Sequence, residues 1–124
     1  RRLLGHAVRD LCDSIRALYP GALILLAGDF NEDPQDGNVV TDFNLWRCFW
    51  EDFEQNAGTF GSYCYNNTWH CYDNILLSAD FVESAGVVTE GIVTDVQGYP
   101  NRWERNTLTG VSDHLPIWVS VKLL

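Results

Sequence analysis

Apolar residues at Leu4, Val8, Leu11, Ile15 and Leu18 recur at intervals of three and four, so the spacing predicts an amphipathic helix over 2–19 that Pro20-Gly21 ends. From Ala22 to Ala27 the pattern changes to a short continuous apolar run bounded by Pro20-Gly21 and Gly28, the signature of a strand covered on both faces. Beyond a polar stretch, Leu45, Trp46, Phe49, Trp50 and Phe53 return to helical spacing and predict a second amphipathic helix, closed near Asn56-Ala57-Gly58. "TFGSYCY" and "WHCYDNILLS" then flank Asn66-Asn67, a dipeptide tolerant of positive φ, and predict a hairpin. A turn or short helix at Ala79 to Ser84 leads into the strand "GVVTEGIVTDV". A long polar loop covers 97–110, and "LPIWVSVKLL" predicts a terminal strand. No internal repeat or low-complexity segment interrupts this order.

With 124 residues, 46% hydrophobic and 13% aromatic, the chain has material for the core of one domain or part of one. No run reaches the length of a membrane span, and no basic start followed by an apolar centre marks a signal peptide. The sequence opens on Arg1-Arg2-Leu3-Leu4 and contains no Met, which leads us to expect a fragment of a longer protein. A net charge of -9 argues against a broad basic surface for nucleic acid. It leaves room for a phosphate substrate, because a bound divalent cation inverts the local field. The four cysteines, Cys12, Cys48, Cys64 and Cys71, match no zinc spacing. Cys12 and Cys48 sit on apolar helix patterns as buried thiols, whereas Cys64 and Cys71 flank the Asn66-Asn67 turn and can form one disulfide if the protein is exported to an extracellular or periplasmic space.

"LILLAGDFNEDPQDGN", residues 23 to 38, sets polar side chains on alternate positions at Asp29, Asn31 and Asp33. An EF-hand loop needs Gly at its sixth position and Glu at its twelfth, where this chain has Pro34 and Val40, and it follows a helix rather than a strand. That reading is excluded. What remains is a carboxylate and an amide at the C-terminal end of a strand, where α/β sheets commonly place ligands. Two further strands carry polar groups at their ends: Asp73 opens "DNILLS", and Asp113 and His114 precede the last strand in "VSDHLP". By alternation Asp73 shares a face with Ile75 and Leu77, so it is a carboxylate at the rim of a core and needs a partner. His114 is one of only three histidines available. Each group alone has a plainer reading, as a turn at Asp29-Phe30-Asn31, a loop at Ser112-Asp113-His114 or a hairpin cap at Asp73. Those readings weaken when all three groups fall at strand ends of one small domain.

The ordered motifs "GDFN", "YDNILLS" and "SDHLP", followed by a terminal apolar strand, make the chain resemble the C-terminal half of the endonuclease/exonuclease/phosphatase superfamily, the DNase I-like fold. The resemblance spans nearly the whole chain. It implies an α/β (α+β) fold that is half of a four-layer α/β/β/α sandwich, with one mainly antiparallel sheet and helices on one face. It also implies a Mg²⁺-dependent phosphoesterase, with Mn²⁺ or Ca²⁺ as substitutes. Asp29 would then orient or deprotonate the attacking water, Asn31 would contact the scissile phosphate, Asp113 would bind the metal, and His114 would contact the phosphate with Asp73 fixing its tautomer. His6 and His70 fit no role and are expected to be structural or surface residues. Members of the superfamily are about twice this length, and their first half supplies a metal-binding Glu, an Asn and a further His that no residue here matches. A bare face bearing Ile75 and Leu77 is therefore expected to be covered by that missing N-terminal half or by a homodimer mate. In the loop at 97–110, Arg102, Trp103 and Arg105 can bind a phosphate or sugar, although a solvated loop anchored by one Trp fits the same residues. The alternative to an enzyme is a non-catalytic binding or scaffold module that retains the fold.

Overall fold

A computed structural model describes residues 2–36, 46–48, 58–93, 95–96, 99–100 and 112–124, and its first element is helix α1, Arg2–Leu18. The helix ends as the sequence requires: a backbone bond from Tyr19 to the Ile15 carbonyl (2.8 Å) completes the last turn, and Ala22 N–H closes onto Tyr19 O (2.9 Å) around Pro20-Gly21. The buried positions of α1 are Gly5 and Cys12, with Val8 packed against the sheet below. The expected apolar stripe is thus only partly used. Leu4 and Leu11 are 67% and 59% exposed, and the side of the helix turned inward is the one bearing Gly5, Val8 and Cys12.

The sheet under α1 has the order β1 (Leu25–Asp29), β5 (Asp73–Ser78), β2 (Trp46–Cys48), with both pairings antiparallel. β5 is central, and Asn74 to Ser78 are all buried. β1 starts three residues later than the apolar run suggested and is an edge strand. Leu25 is 45% exposed, so the run is not covered on both faces. The helix expected around Leu45 to Phe53 is also replaced where the structure describes it. Its described part, Trp46–Cys48, is a strand paired with Leu76 to Ser78, and the rest of that segment lies outside the described residues. Trp and Cys sit as readily in a pleated strand as in a helix, and the open edge of β5 offers hydrogen bonds that an isolated helical segment would forgo.

Asn66 and Asn67 both adopt positive φ (48° and 62°), and they join β3 (Tyr63–Tyr65) to β4 (Thr68–His70) in the expected tight hairpin. "DNILLS" does not continue that hairpin. The chain leaves the β3–β4 sheet at Cys71-Tyr72 and enters the sheet with β1 instead. Helix α2, Ala79–Glu83, follows directly, then β6 (Ala85–Ile92), which pairs with the terminal β9 (Ile117–Leu123). β7 (Asp95–Val96), at the end of the expected strand, pairs with β8 (Tyr99–Pro100), which takes up part of the stretch expected as loop.

The two faces of β5 have different covers. Leu76 packs with Val8, Leu26 and Phe30 on the α1 side. Ile75 and Leu77 pack with Phe81 and Val82 of α2 and with Val88, Ile117, Val119 and Val121 of β6 and β9. The layers are helix, three-stranded sheet and two-stranded sheet. The face bearing Ile75 and Leu77, expected to be bare until covered by a missing N-terminal half or a homodimer mate, is covered by α2, β6 and β9 of the same chain. Alternation on β5 showed that this face must be buried, and the terminal strands of the same chain bury it. Each of these large side chains contributes about 1.5–3 kcal/mol when fully buried. The mixed α/β character and antiparallel pairing match expectation, while the expected single sheet is divided among separate antiparallel sheets.

Candidate functional site

Antiparallel pairing of β1 with β5 puts Leu25 opposite Leu77, Ala27 opposite Ile75 and Asp29 opposite Asp73. Directly opposed residues share a face, so both carboxylates stand at the end of the face that packs on β9. Beyond the strand, Asp29 Oδ1 accepts the Asn31 backbone N–H at 2.8 Å, and Asn31 takes φ 53°. This local turn is why Asn suits position 31: its short polar side chain tolerates the left-handed region better than most residues.

The other half of the site is brought in by the β3–β4 hairpin. Gly61 lies so close to β4 that a Cβ there would meet the His70 backbone, 2.6 Å from its carbonyl carbon and 2.9 Å from its nitrogen. That approach lets Ser62 N–H reach His70 O (3.0 Å), and Ser62 O in turn accepts Leu115 N–H (2.7 Å). The 112–115 segment is thereby tied down, with Tyr63 and His114 forming an isolated bridge. His114 Nδ1 donates to Asp73 Oδ2 at 2.7 Å although the residues are 41 positions apart. Ser62 Oγ donates to the same oxygen at 2.5 Å and accepts from Asp73 N–H at 3.4 Å. Tyr63 stacks on the His114 ring with centroids 4.6 Å apart. The carboxylate at the core rim has two donors, as burial demands.

Asp29, Asp73 and His114 each offer one ligand atom, and these atoms lie within 4.8 Å of one another. Two carboxylates and an imidazole are a donor set that a divalent cation accepts, and the carboxylate oxygens suit a hard ion such as Mg²⁺. Asp113 is exposed and stands outside this cluster. Arg102, Trp103 and Arg105 lie outside the described residues.

Ser62 and Tyr63 were not singled out in the sequence, because hydrophobic alternation says nothing about which loop a hairpin will pin. The only local signal was Gly61 beside them. His70 takes the structural one of the two roles expected for it. It is half-buried and its Nδ1 donates to Asp33 Oδ2 at 2.6 Å, while Asp33 Oδ1 accepts Cys71 N–H at 2.6 Å. Asp33 is only 7% exposed. The pair clamps the loop carrying Asn31 onto β4, so His70 is no surface residue. No disulfide joins Cys64 and Cys71. Cys64 is opposite Trp69 in the hairpin register and Cys71 lies past its end, so the two are not cross-strand partners.

This constellation, assembled from three strand ends, agrees with the sequence as a whole: a profile of the Endonuclease/Exonuclease/phosphatase family matches residues 1–123. No significant match was found among curated proteins or among solved structures. On the strength of that nearly complete match, the chain belongs to the Endonuclease/Exonuclease/phosphatase family.

Proposed function

We propose that this chain carries the C-terminal half of the catalytic site of a metal-dependent phosphoesterase, within one half of a four-layer α/β/β/α sandwich. The observation that carries the reading is the hydrogen bond of His114 to Asp73 with Asp29 beside them, three groups from distant segments meeting at one rim. With Nδ1 committed to Asp73, the ring presents Nε2 to a phosphate oxygen. Asp29 keeps its second oxygen for the attacking water, which it orients or deprotonates. Asn31 supports the phosphate as charge develops on it. Asp113, next to His114 in the chain, would be a ligand of a divalent cation, Mg²⁺ by the hardness of its oxygens, and that ion would supply charge neutralisation at the phosphate. Arg102, Trp103 and Arg105 would bind a phosphate or sugar of the substrate. The first half of the site, including a further metal-binding carboxylate, comes from residues outside this chain.

The test is hydrolysis by the full-length protein across nucleic acids, phospholipids, inositol phosphates and nucleotides, with Mg²⁺ and with chelator. His114→Ala and Asp29→Asn should each lower turnover by about 10²–10⁴-fold, the span of general acid–base effects, while the fold persists. Absence of metal-dependent activity on every class would replace this reading with that of a non-catalytic scaffold.

A further inference from the structure

Four rings stand in one continuous stack beside the candidate site. His114 lies on Tyr63 (4.6 Å between centroids, planes at 28°), Tyr63 on Tyr72 (5.5 Å, 23°), and Tyr72 on His70 (4.8 Å, 29°). Both ends of the stack are imidazoles held by an aspartate, His114 by Asp73 and His70 by Asp33. The hydrogen bond alone does not orient His114. A ring held at one nitrogen can still swing about that contact, and the direction of its other nitrogen changes as it does. A second ring packed on its face removes this freedom, because swinging would break the stacking contact. Tyr63 is suited to that task, since its own backbone is fixed: it is registered opposite His70, and its neighbour Ser62 bonds both His70 and Leu115.

We propose that Tyr63 is a positioning residue, which, backed by Tyr72 and His70, holds the plane of the His114 imidazole so that Nε2 keeps one direction relative to Asp29. The purpose of that orientation rests on the phosphoesterase reading, but the orientation itself does not. The relevant chemistry is the ring face and not the phenol hydroxyl, so phenylalanine should replace Tyr63 and an aliphatic residue should not.

The experiment uses the chain labelled with ¹⁵N-histidine and reads the Nδ1–H signal of His114. Tyr63→Phe should keep that signal at its original shift. Tyr63→Leu should lose it to exchange while the backbone amide spectrum stays dispersed. Tyr72→Leu removes the ring behind Tyr63, and should shift or broaden the His114 signal without abolishing it. A full-strength, unshifted signal in Tyr63→Leu overturns the proposal, as does its loss in Tyr63→Phe. Should Tyr63→Leu fail to fold, Tyr72→Leu decides: an unchanged His114 signal there overturns the stack as the positioning device. In the full-length protein Tyr63→Leu should lower kcat with KM little changed. Ring signals that behave as expected in a protein without activity would keep the positioning and remove the phosphoesterase reading, so the two failures are separable.

Discussion

Ser62 shows how much one buried hydroxyl does in this molecule. Its side chain is fully buried and donates to Asp73, while its carbonyl holds the segment bearing His114. Ser62→Ala leaves the backbone bonds in place and removes only the hydroxyl, so urea unfolding should show a loss of about 1–3 kcal/mol, the usual cost when a buried partner of a charged group disappears. The Cys12 thiol offers a second test. Burial pushes its pKa up, the Asp13 carboxylate adds to this, and Arg16 opposes it. The folded state thus holds the thiol proton more tightly than the unfolded state. That contribution is complete below the unfolded thiol's pKa and is lost as pH rises through the raised folded value. Iodoacetamide should accordingly label Cys12 far more slowly in the native chain than in urea, with peptide mapping to assign the site. "GDFN", Asp73 and His114 were legible in the sequence because each is a polar interruption at the end of an apolar run. Ser62, Tyr63 and the Asp33–His70 pair were not, because their roles depend on which segments the hairpin touches.

Among the elements, the β3–β4 hairpin is the one on which the site depends. Gly61→Ala would drive a methyl into the His70 backbone, and backbone cannot rotate aside as a side chain does. Displacing the hairpin should cost about 1–3 kcal/mol, as overpacking commonly does, and should also weaken the His114–Asp73 bond seen by NMR. Helix α2 is joined to α1 by Arg16 and Asp80 at 3.0 Å. The Asp80 carboxyl is lowered from its ordinary value, first by the Ser78 hydroxyl and then by Arg16 and the Phe81 N–H, against an opposing effect of desolvation. A lowered carboxylate contributes stability that is present above its unfolded pKa and lost as pH falls through the folded one. Asp80→Asn should flatten the acid side of the stability profile slightly, since both side chains remain well exposed and screened. Helix α1 and the Asn66-Asn67 turn were readable because local chemistry decides them. At Trp46–Cys48 the helical pattern misled because three residues are too few to carry a period of their own, and periodicity does not register a pairing with a distant strand such as β5.

For the molecule as a whole, alternation showed that the β5 face bearing Ile75 and Leu77 is buried, and it could not show that α2 and the β6–β9 pair cover it. Periodicity reports that a face is buried and is silent on the partner. The pairing of Asp29 with Asp73 has a further consequence, for the balance between durability and activity. Like charges directly opposite on neighbouring strands repel, so the sheet is weaker for carrying both carboxylates. Asn at position 29 would relieve that repulsion and retain an oxygen to accept the Asn31 N–H. Asp29→Asn should therefore raise the unfolding temperature at low salt, by an amount that shrinks as salt screens the pair. The same change should remove the group proposed to handle the attacking water. A library of this protein selected only for heat resistance would be expected to gather changes at position 29, and its hardiest members would be its least active.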